Sequence, residues 1–93
     1  MFDVVFFTVL TSALELVSNG EREIIEISIK TTSPAAGKRI VDLDLPPNTL
    51  IFLVDRAGTH IIPGGGTTLR NEDHVLVLTP KNQVADVRQA VTG

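Results

Sequence analysis

Residues 49–56, TLIFLVDR, are the segment that most restricts the fold of this 93-residue chain. Their apolar run is typical of a strand, and it is long enough to be covered on both faces. Ala57 and Gly58 then indicate a tight turn, and THIIP at 59–63 predicts the returning strand of a hairpin. A chain of this length has room for one small domain with a thin core. The sequence therefore predicts a single small domain that contains a strongly apolar strand.

The other periodic segments predict two further strands and two helices. Residues 23–30 alternate isoleucine with polar residues, which is the pattern of a half-buried strand, and residues 74–80 predict the last strand. Residues 38–45 carry apolar side chains at helical spacing, and the two prolines that follow cannot continue a helix. Residues 81–93 predict a closing helix, because their valines recur at three- and four-residue spacing. The predicted order is β-α-β-β-β-α.

An apolar segment precedes these elements. Residues 1–17, MFDVVFFTVLTSALELV, contain only two charged side chains. As a helix, these 17 residues would span about 25 Å. The run is slightly shorter than the roughly 20 residues that a membrane span needs. A secretory signal is not indicated, because no basic residue precedes the apolar stretch.

Three interpretations of this apolar segment remain open. It is the end of a transmembrane helix, which we favour, or an amphipathic helix that packs on the domain or on a partner chain, or a buried strand. The polar residues 18–23, SNGERE, mark the boundary. We therefore divide the chain into an apolar segment at 1–19, interpreted as the remnant of a membrane helix, and a domain at 20–93.

The composition excludes several classes of function. The net charge is −3 and no basic stripe is present. Nucleic acid is therefore not an expected partner, since phosphate backbones are bound mainly by Lys and Arg. The chain has no cysteine, which excludes disulfides, thiolate nucleophiles and cysteine-type zinc sites.

Three consecutive glycines, Gly64, Gly65 and Gly66, raise the question of a phosphate-binding loop. Such a loop needs a strand before it and the start of a helix after it. Here the next predicted element is the strand at 74–80, and neither GxGxxG nor GK[ST] is present. We therefore expect the glycines to supply the left-handed conformations of a wide β-turn.

The two histidines, His60 and His74, flank this loop. A metal site needs at least three ligands in one place, and adjacent strand residues point to opposite faces. We interpret both histidines as solvated or edge residues, and we predict no metal site.

The carboxylates and serines do not form a catalytic motif either. Asp42 and Asp44 are two residues apart, so a helix does not bring them to one face. We interpret the charged residues at 55–56 and 70–73 as surface charges beside turns, and no serine lies in a nucleophile motif. The sequence therefore predicts no catalytic residue and no enzyme.

Two long segments follow an ordered pattern. IIEISIK leads into SPAAGKRIVDLDLPPNTLIFLVDRAG, and THIIPGGGTTLRNEDHVLVLTP follows. Over residues 24–92 this series resembles the TrkA C-terminal domain, also called the RCK C-terminal domain. The likeness lies in the opening strand, the P…GK.L.EL.LP turn, the glycine or aspartate loop after a proline, and the Asp before the last strand. Glu72 departs from the pattern, which usually has Gly there; we expect the turn to form, because Glu tolerates a type I geometry.

The resemblance implies a small α+β domain of β-α-β-β-β-α order with a mostly antiparallel sheet, preceded here by an apolar N-terminal helix. It also implies regulation of cation transport, since such domains are attached to potassium channels, potassium uptake systems and cation/proton antiporters, mostly in prokaryotes. The implied partners are a second copy, in a homodimer, and the membrane transport domain of the same protein at the cytoplasmic face of the membrane. FDVVFFTVLTS resembles the end of the last membrane helix of a potassium/proton antiporter.

The resemblance also implies a ligand site. Some members of the family bind cyclic di-AMP in a cleft between two paired domains, and the matching positions here are Ile40, Val41, Asp44 and Leu45. Pro46–Pro47 stands where those members have Arg–Ala, which removes a cationic donor and a backbone N–H. The alternative is that the three apolar residues form core or dimer interface, in a pure assembly domain with no small-molecule ligand. No other cofactor is expected.

Overall fold

A computed structural model describes residues 21–93 as a four-stranded antiparallel sheet with one α-helix. The strand order is β1-β4-β2-β3, so the long strands β2 and β4 lie in the centre. In chain order the elements are β1 (Arg22–Ser28), a 3₁₀ helix (Ile40–Asp42), β2 (Leu50–Arg56), β3 (Thr59–Ile61), β4 (His74–Pro80), a second 3₁₀ helix (Lys81–Gln83) and α1 (Val84–Thr92).

The predicted α+β order is confirmed for this part of the chain, although both helical segments are shorter than expected. The helical turn predicted over 38–45 is reduced to Ile40–Asp42, because the backbone of Leu43 is already extended, with φ −80° and ψ 143°. The expected apolar helix in residues 1–19 and its boundary with the domain lie outside the described residues, so both stay predictions. No helix within residues 21–93 is long and apolar enough to cross a membrane.

Helix α1 packs on one face of the sheet and encloses the main core. Val87 and Val91, four residues apart, are fully buried. They lie in one cluster with Ile27 of β1 and with Val75 and Val77 of β4. Ile25 and Ile27 of β1, with Ile29 directly after it, alternate along the chain and all lie in this cluster, as the sequence pattern predicted.

The opposite face of the sheet is also apolar at one end. Phe52, Leu53 and Leu78 form a second cluster, against which Ile24 and Leu76 pack. We call these five side chains the outer apolar face. The register of β2 against β4 shifts between residues 51 and 53, so two consecutive β2 residues join this face. The prediction that strand 49–56 is covered on both faces is therefore confirmed for its centre.

The hairpin between β2 and β3 is closed by a two-residue turn. Ala57 and Gly58 both have left-handed backbones, with φ of 52° and 84°. This combination is typical of a type I′ turn, which matches the twist of the paired strands. The Gly58 N–H donates to Oδ1 of Asp55 at 3.0 Å, so a β2 side chain fastens the turn.

The turn before β4 differs from the expectation for Glu72. Glu72 has a φ of 72°, in the left-handed region, so the expected type I geometry is wrong at this residue. The Glu72 N–H donates to the Ile29 carbonyl at 2.7 Å, and the Asp73 N–H donates to the Arg70 carbonyl at 3.1 Å. These bonds hold a conformation that glycine adopts more readily than glutamate.

Replacing Glu72 by glycine is expected to stabilise the domain. The substitution relieves a left-handed non-glycine backbone and adds some entropy to the unfolded chain, for a net gain of about 0.5–1 kcal/mol. In thermal denaturation followed by circular dichroism, Glu72→Gly should raise Tm by about 4 °C. The matched control is Asn71→Gly next to it, where φ is not positive, and this change should lower Tm. Equal effects of the two variants would contradict the explanation.

Candidate functional site

The 3₁₀ helix and the glycine-containing loop are joined into one surface feature. The Ile40 N–H donates to the Thr67 carbonyl, and the Val41 N–H donates to the Gly65 carbonyl, each at 2.9 Å. An isolated β-bridge pairs Arg39 with Thr68 directly beside them. We call the 3₁₀ helix together with loop 62–67 the turn–loop ridge.

The turn–loop ridge carries exposed apolar side chains on both of its halves. Val41 of the 3₁₀ helix is 63% exposed, and Ile62 of the loop is 38% exposed. Leu50 is the other large apolar side chain with comparable exposure among the described residues. A ridge fixed by backbone hydrogen bonds that presents apolar side chains to solvent is suited to contact a partner or a ligand.

The structure separates the four predicted site residues into three environments. Ile40 and Leu45 are half-buried and pack against the main core, whereas Val41 points away from it. Asp44 is exposed and lines a shallow depression together with Asp86, Gln89 and Ala90 of α1. Their binding of a ligand stays a prediction. Two carboxylates in one depression disfavour a phosphate, since like charges repel.

The three glycines do not have the role that the sequence indicated. None of Gly64, Gly65 and Gly66 has a positive φ, so the expectation of left-handed turn residues is wrong. The turn is closed instead by the Thr67 N–H, which donates to the Gly64 carbonyl at 3.1 Å, while Oγ1 of Thr67 accepts the Gly64 N–H at 3.0 Å. At Gly65 an added Cβ would lie 3.5 Å from the Cβ of Val41, an ordinary van der Waals contact, so the approach of the loop to the 3₁₀ helix does not require glycine there.

Asp73 is not a surface charge, contrary to the sequence interpretation, and it is paired with the partly exposed Arg56. Asp73 is 1% exposed, and its two carboxylate oxygens accept hydrogen bonds from Nε and Nη2 of Arg56 at 2.9 and 2.8 Å. The Arg70 N–H donates to the same carboxylate at 2.9 Å. Nη2 of Arg56 also donates to the Thr68 carbonyl at 2.9 Å. One guanidinium therefore connects β2 with Asp73, directly before β4, and with Thr68, directly after the loop of the ridge.

This pair could not be recognised from the sequence without the sheet order. Arg56 and Asp73 are 17 residues apart, and they meet because β2 and β4 are neighbours in the sheet. The available signal was the aspartate that stands directly before the last strand. Burial alone would raise the pKa of Asp73, but the hydrogen bonds from Arg56 and from the Arg70 backbone, with the nearby positive charges, outweigh it and lower the pKa of Asp73 below its ordinary value.

A serine and a histidine also meet at this end of the sheet. Oγ of Ser28 lies 3.0 Å from Nδ1 of His74, and Oε1 of Glu26 lies 3.4 Å from the same nitrogen. A catalytic triad needs the serine and the carboxylate on different ring nitrogens, so this arrangement does not activate a nucleophile. In residues 21–93, no three His, Asp, Glu or Cys side chains are grouped to hold a metal ion.

A sequence model of the TrkA-C domain matches residues 24–92. The chain belongs to the TrkA-C domain family. Within this family, a Trk system potassium uptake protein TrkA homolog of Archaeoglobus fulgidus is 39% identical over 77 residues, which cover 81% of this chain and 18% of that protein. A TrkA homolog of Pyrococcus abyssi is 30% identical over 88 residues, covering 91% of this chain and 39% of that protein. The chain thus spans less than half the length of these relatives.

Solved structures support the TrkA-C fold. The RCK C domain of the potassium transport protein KtrA, in complex with cyclic di-AMP, superposes with a TM-score of 0.66 at 24% identity, covering 85% of this chain and 92% of that one. An RCK domain with cda superposes with a TM-score of 0.63 at 20% identity, covering 73% of this chain and 96% of that one. At this identity the likeness shows the shared fold.

Removing the guanidinium of Arg56 is expected to destabilise the TrkA-C domain strongly. Arg56→Met keeps most of the side-chain volume but leaves the buried Asp73 carboxylate without its charged partner, at a cost of about 3 kcal/mol. Urea denaturation at pH 7 measures the change. The matched control is Arg39→Met, which breaks an exposed Arg39–Asp42 pair of similar length, 2.9 Å, and should change the stability little. Equal losses of unfolding free energy in the two variants would contradict the conclusion that burial makes the Arg56–Asp73 pair important.

The same pair predicts an acid-dependent loss of stability. The pKa of Asp73 is lower in the folded than in the unfolded chain, so ionised Asp73 stabilises the fold above the unfolded pKa of about 4. This contribution is lost as the pH falls through the folded pKa. The unfolded Asp73 is the same in the unsubstituted protein and in Arg56→Met, so it cancels from their stability difference. In urea titrations at a series of pH values, this difference should shrink as the pH falls through the pKa of Asp73 in the folded variant and then through its lower pKa in the folded unsubstituted protein. A difference independent of pH would contradict the assignment.

Proposed function

We propose that this chain is a regulatory module of a potassium transport protein. The observation that carries the proposal is the TrkA-C match over residues 24–92, together with relatives that are named Trk potassium uptake proteins. The described residues support a binding role, since two of their three exposed large apolar side chains, Val41 and Ile62, lie together on the ridge. The partner that it regulates is a membrane transport domain of the same protein, at the cytoplasmic face of the membrane.

Two copies pair through the turn–loop ridge in this proposal. A two-fold contact uses the same patch on both subunits, so an apolar patch must be able to meet itself. Val41 and Ile62 can do so, because both are aliphatic and both project from a segment fixed by backbone hydrogen bonds. Pairing would remove these side chains from water, which favours the dimer.

A small ligand binds beside this contact, in a cleft between the two paired copies to which Ile40, Val41, Asp44 and Leu45 contribute. The apolar side chains suit the face of a planar ring, and the Asp44 carboxylate can accept hydrogen bonds from an amino group. Cyclic di-AMP is the first candidate, because it is bound in the KtrA structure that shares the fold. A ligand can change the dimer only by its differential affinity for two arrangements of the pair.

A pure assembly role is the second candidate function. It is favoured by Pro46–Pro47, which offers the ligand neither a backbone N–H nor a cation. The acidic depression around Asp44 and Asp86 also opposes an anionic ligand. In this case the two copies pair and hold the attached transport domains together, and no small molecule changes the pairing.

Charge at Val41 is expected to separate the paired copies. Val41→Lys places an ammonium group at the centre of the contact and next to its own symmetry mate, so the dimer should dissociate. Light scattering over a range of protein concentrations measures the mass. The matched control is Leu50→Lys, at an apolar side chain of similar exposure, 54% against 63%, that lies away from the ridge. A monomer before substitution, or loss of the dimer in both variants, would contradict pairing through the ridge.

Thermal denaturation with cyclic di-AMP, ATP or potassium chloride distinguishes the two candidate functions. A ligand that binds the folded domain at 100 times its Kd stabilises it by about 2.7 kcal/mol, which corresponds to several degrees in Tm. A shift that Asp44→Asn reduces would support the ligand cleft. A dimer whose Tm none of the three changes would favour the assembly role.

A further inference from the structure

The outer apolar face is more enclosed than the described elements can explain. Phe52 is 3% exposed, Leu53 4% and Leu78 7%. Within residues 21–93, the partly buried apolar side chains that pack against them are Ile24 and Leu76 of the same face. Side chains on one sheet face stand next to one another and cannot cover their own tips, and α1 packs on the opposite side. A further covering layer is therefore required.

The polarity of this face changes along the strands. At one end Ile24 of β1 stands opposite Leu78 of β4, which stands opposite Leu50 of β2. At the other end the cross-strand neighbours are Ser28, His74 and Asp55, which are polar. The apolar end is the end at which β1 begins, at Arg22. The residues directly before β1 in the chain are therefore next to the apolar end of this face.

The sequence before β1 has the pattern of such a cover. In residues 1–17 the polar side chains Thr8, Thr11, Ser12 and Glu15 recur at three- and four-residue spacing, which places them on one stripe of a helix. The rest of the helix surface is aliphatic or phenylalanine, apart from Asp3 near its start. This pattern is typical of a helix with one side against an apolar layer and one side towards water.

We propose that residues 1–17 fold back as an amphipathic helix and cover the outer apolar face of their own chain. The dimensions agree, since a helix of this length spans about 25 Å and a seven-residue strand about 23 Å. The short connection 18–21 contains Asn19–Gly20, a pair that favours chain reversal. The proposal is independent of the regulatory function and differs from the membrane-helix interpretation of the same segment.

Substitutions in the full chain test this docking. Phe6→Lys puts a charge on the apolar side of the helix, and Thr11→Lys puts the same charge on the polar stripe as the matched control. Two-dimensional NMR spectra should show that Phe6→Lys shifts the amide signals of Leu53, Leu76 and Leu78, and hydrogen exchange of these amides should become about tenfold faster. The signals of α1 should stay in place, and Thr11→Lys should change none of these amides.

A milder pair keeps the experiment decisive if the Phe6→Lys protein does not fold. Val9→Ala on the apolar side should shift the same amide signals, whereas Thr8→Ala next to it should not. Unchanged outer-face signals in both apolar-side variants would overturn the proposal. A shift that is seen only at concentrations at which the protein dimerises would overturn it in favour of a second copy. Flotation of the unsubstituted chain with phosphatidylglycerol–phosphatidylcholine vesicles would overturn it in favour of a membrane helix.

Discussion

The buried contact between Arg56 and Asp73 organises the end of the sheet on which the candidate site depends. The Asp73 carboxylate is almost fully enclosed and has three hydrogen-bond donors, two of them from one guanidinium. Because Arg56 also donates to the Thr68 carbonyl, the contact fixes the loop that leads back to the 3₁₀ helix. A carboxylate at this depth is tolerated only with such partners, so the position of the loop and the ionisation of Asp73 depend on each other.

Backbone hydrogen bonds then hold the 3₁₀ helix against this fixed loop and so form the turn–loop ridge. The loop presents the carbonyls of Gly65 and Thr67 to the N–H groups of the 3₁₀ helix. A three-residue 3₁₀ helix has little stability of its own, and here the neighbouring loop supplies the acceptors that its first N–H groups lack. The exposed side chain of Val41 is therefore presented by a backbone that hydrogen bonds hold in place. This rigidity favours a binding role, because less conformational entropy is lost when a partner or ligand is bound.

The sequence predicted the elements whose patterns are local. The alternation over 23–30 gave the inward face of β1, and Ala57–Gly58 gave the hairpin turn, because period-two patterning and turn chemistry depend on neighbouring residues alone. The glycine loop was predicted wrongly, since hydrogen bonds to the distant Val41 determine its conformation. The ionic contact before β4 was missed for the same reason, as was the left-handed backbone of Glu72, which bonds to Ile29. The candidate ligand residues could be selected from the sequence, but only the structure shows that they lie apart. Ile40 and Leu45 pack against the core, Val41 lies on the ridge and Asp44 lies in the depression.

The ridge and the outer apolar face lie on opposite sides of the same sheet, so neither proposed contact blocks the other. Ile40 and Leu45 pack into the cluster that α1 covers, whereas Phe52 and Leu53 belong to the reverse side. The covering of the reverse side matters energetically, because each large apolar side chain removed from water contributes about 1.5–3 kcal/mol. The net stability of a small domain is only about 5–15 kcal/mol, so a few such side chains amount to a large part of it. A strand that is apolar on both faces can therefore belong to a stable small domain only if both of its sides are covered. Pairing through the ridge would cover neither Phe52 nor its neighbours, so these side chains need a separate cover.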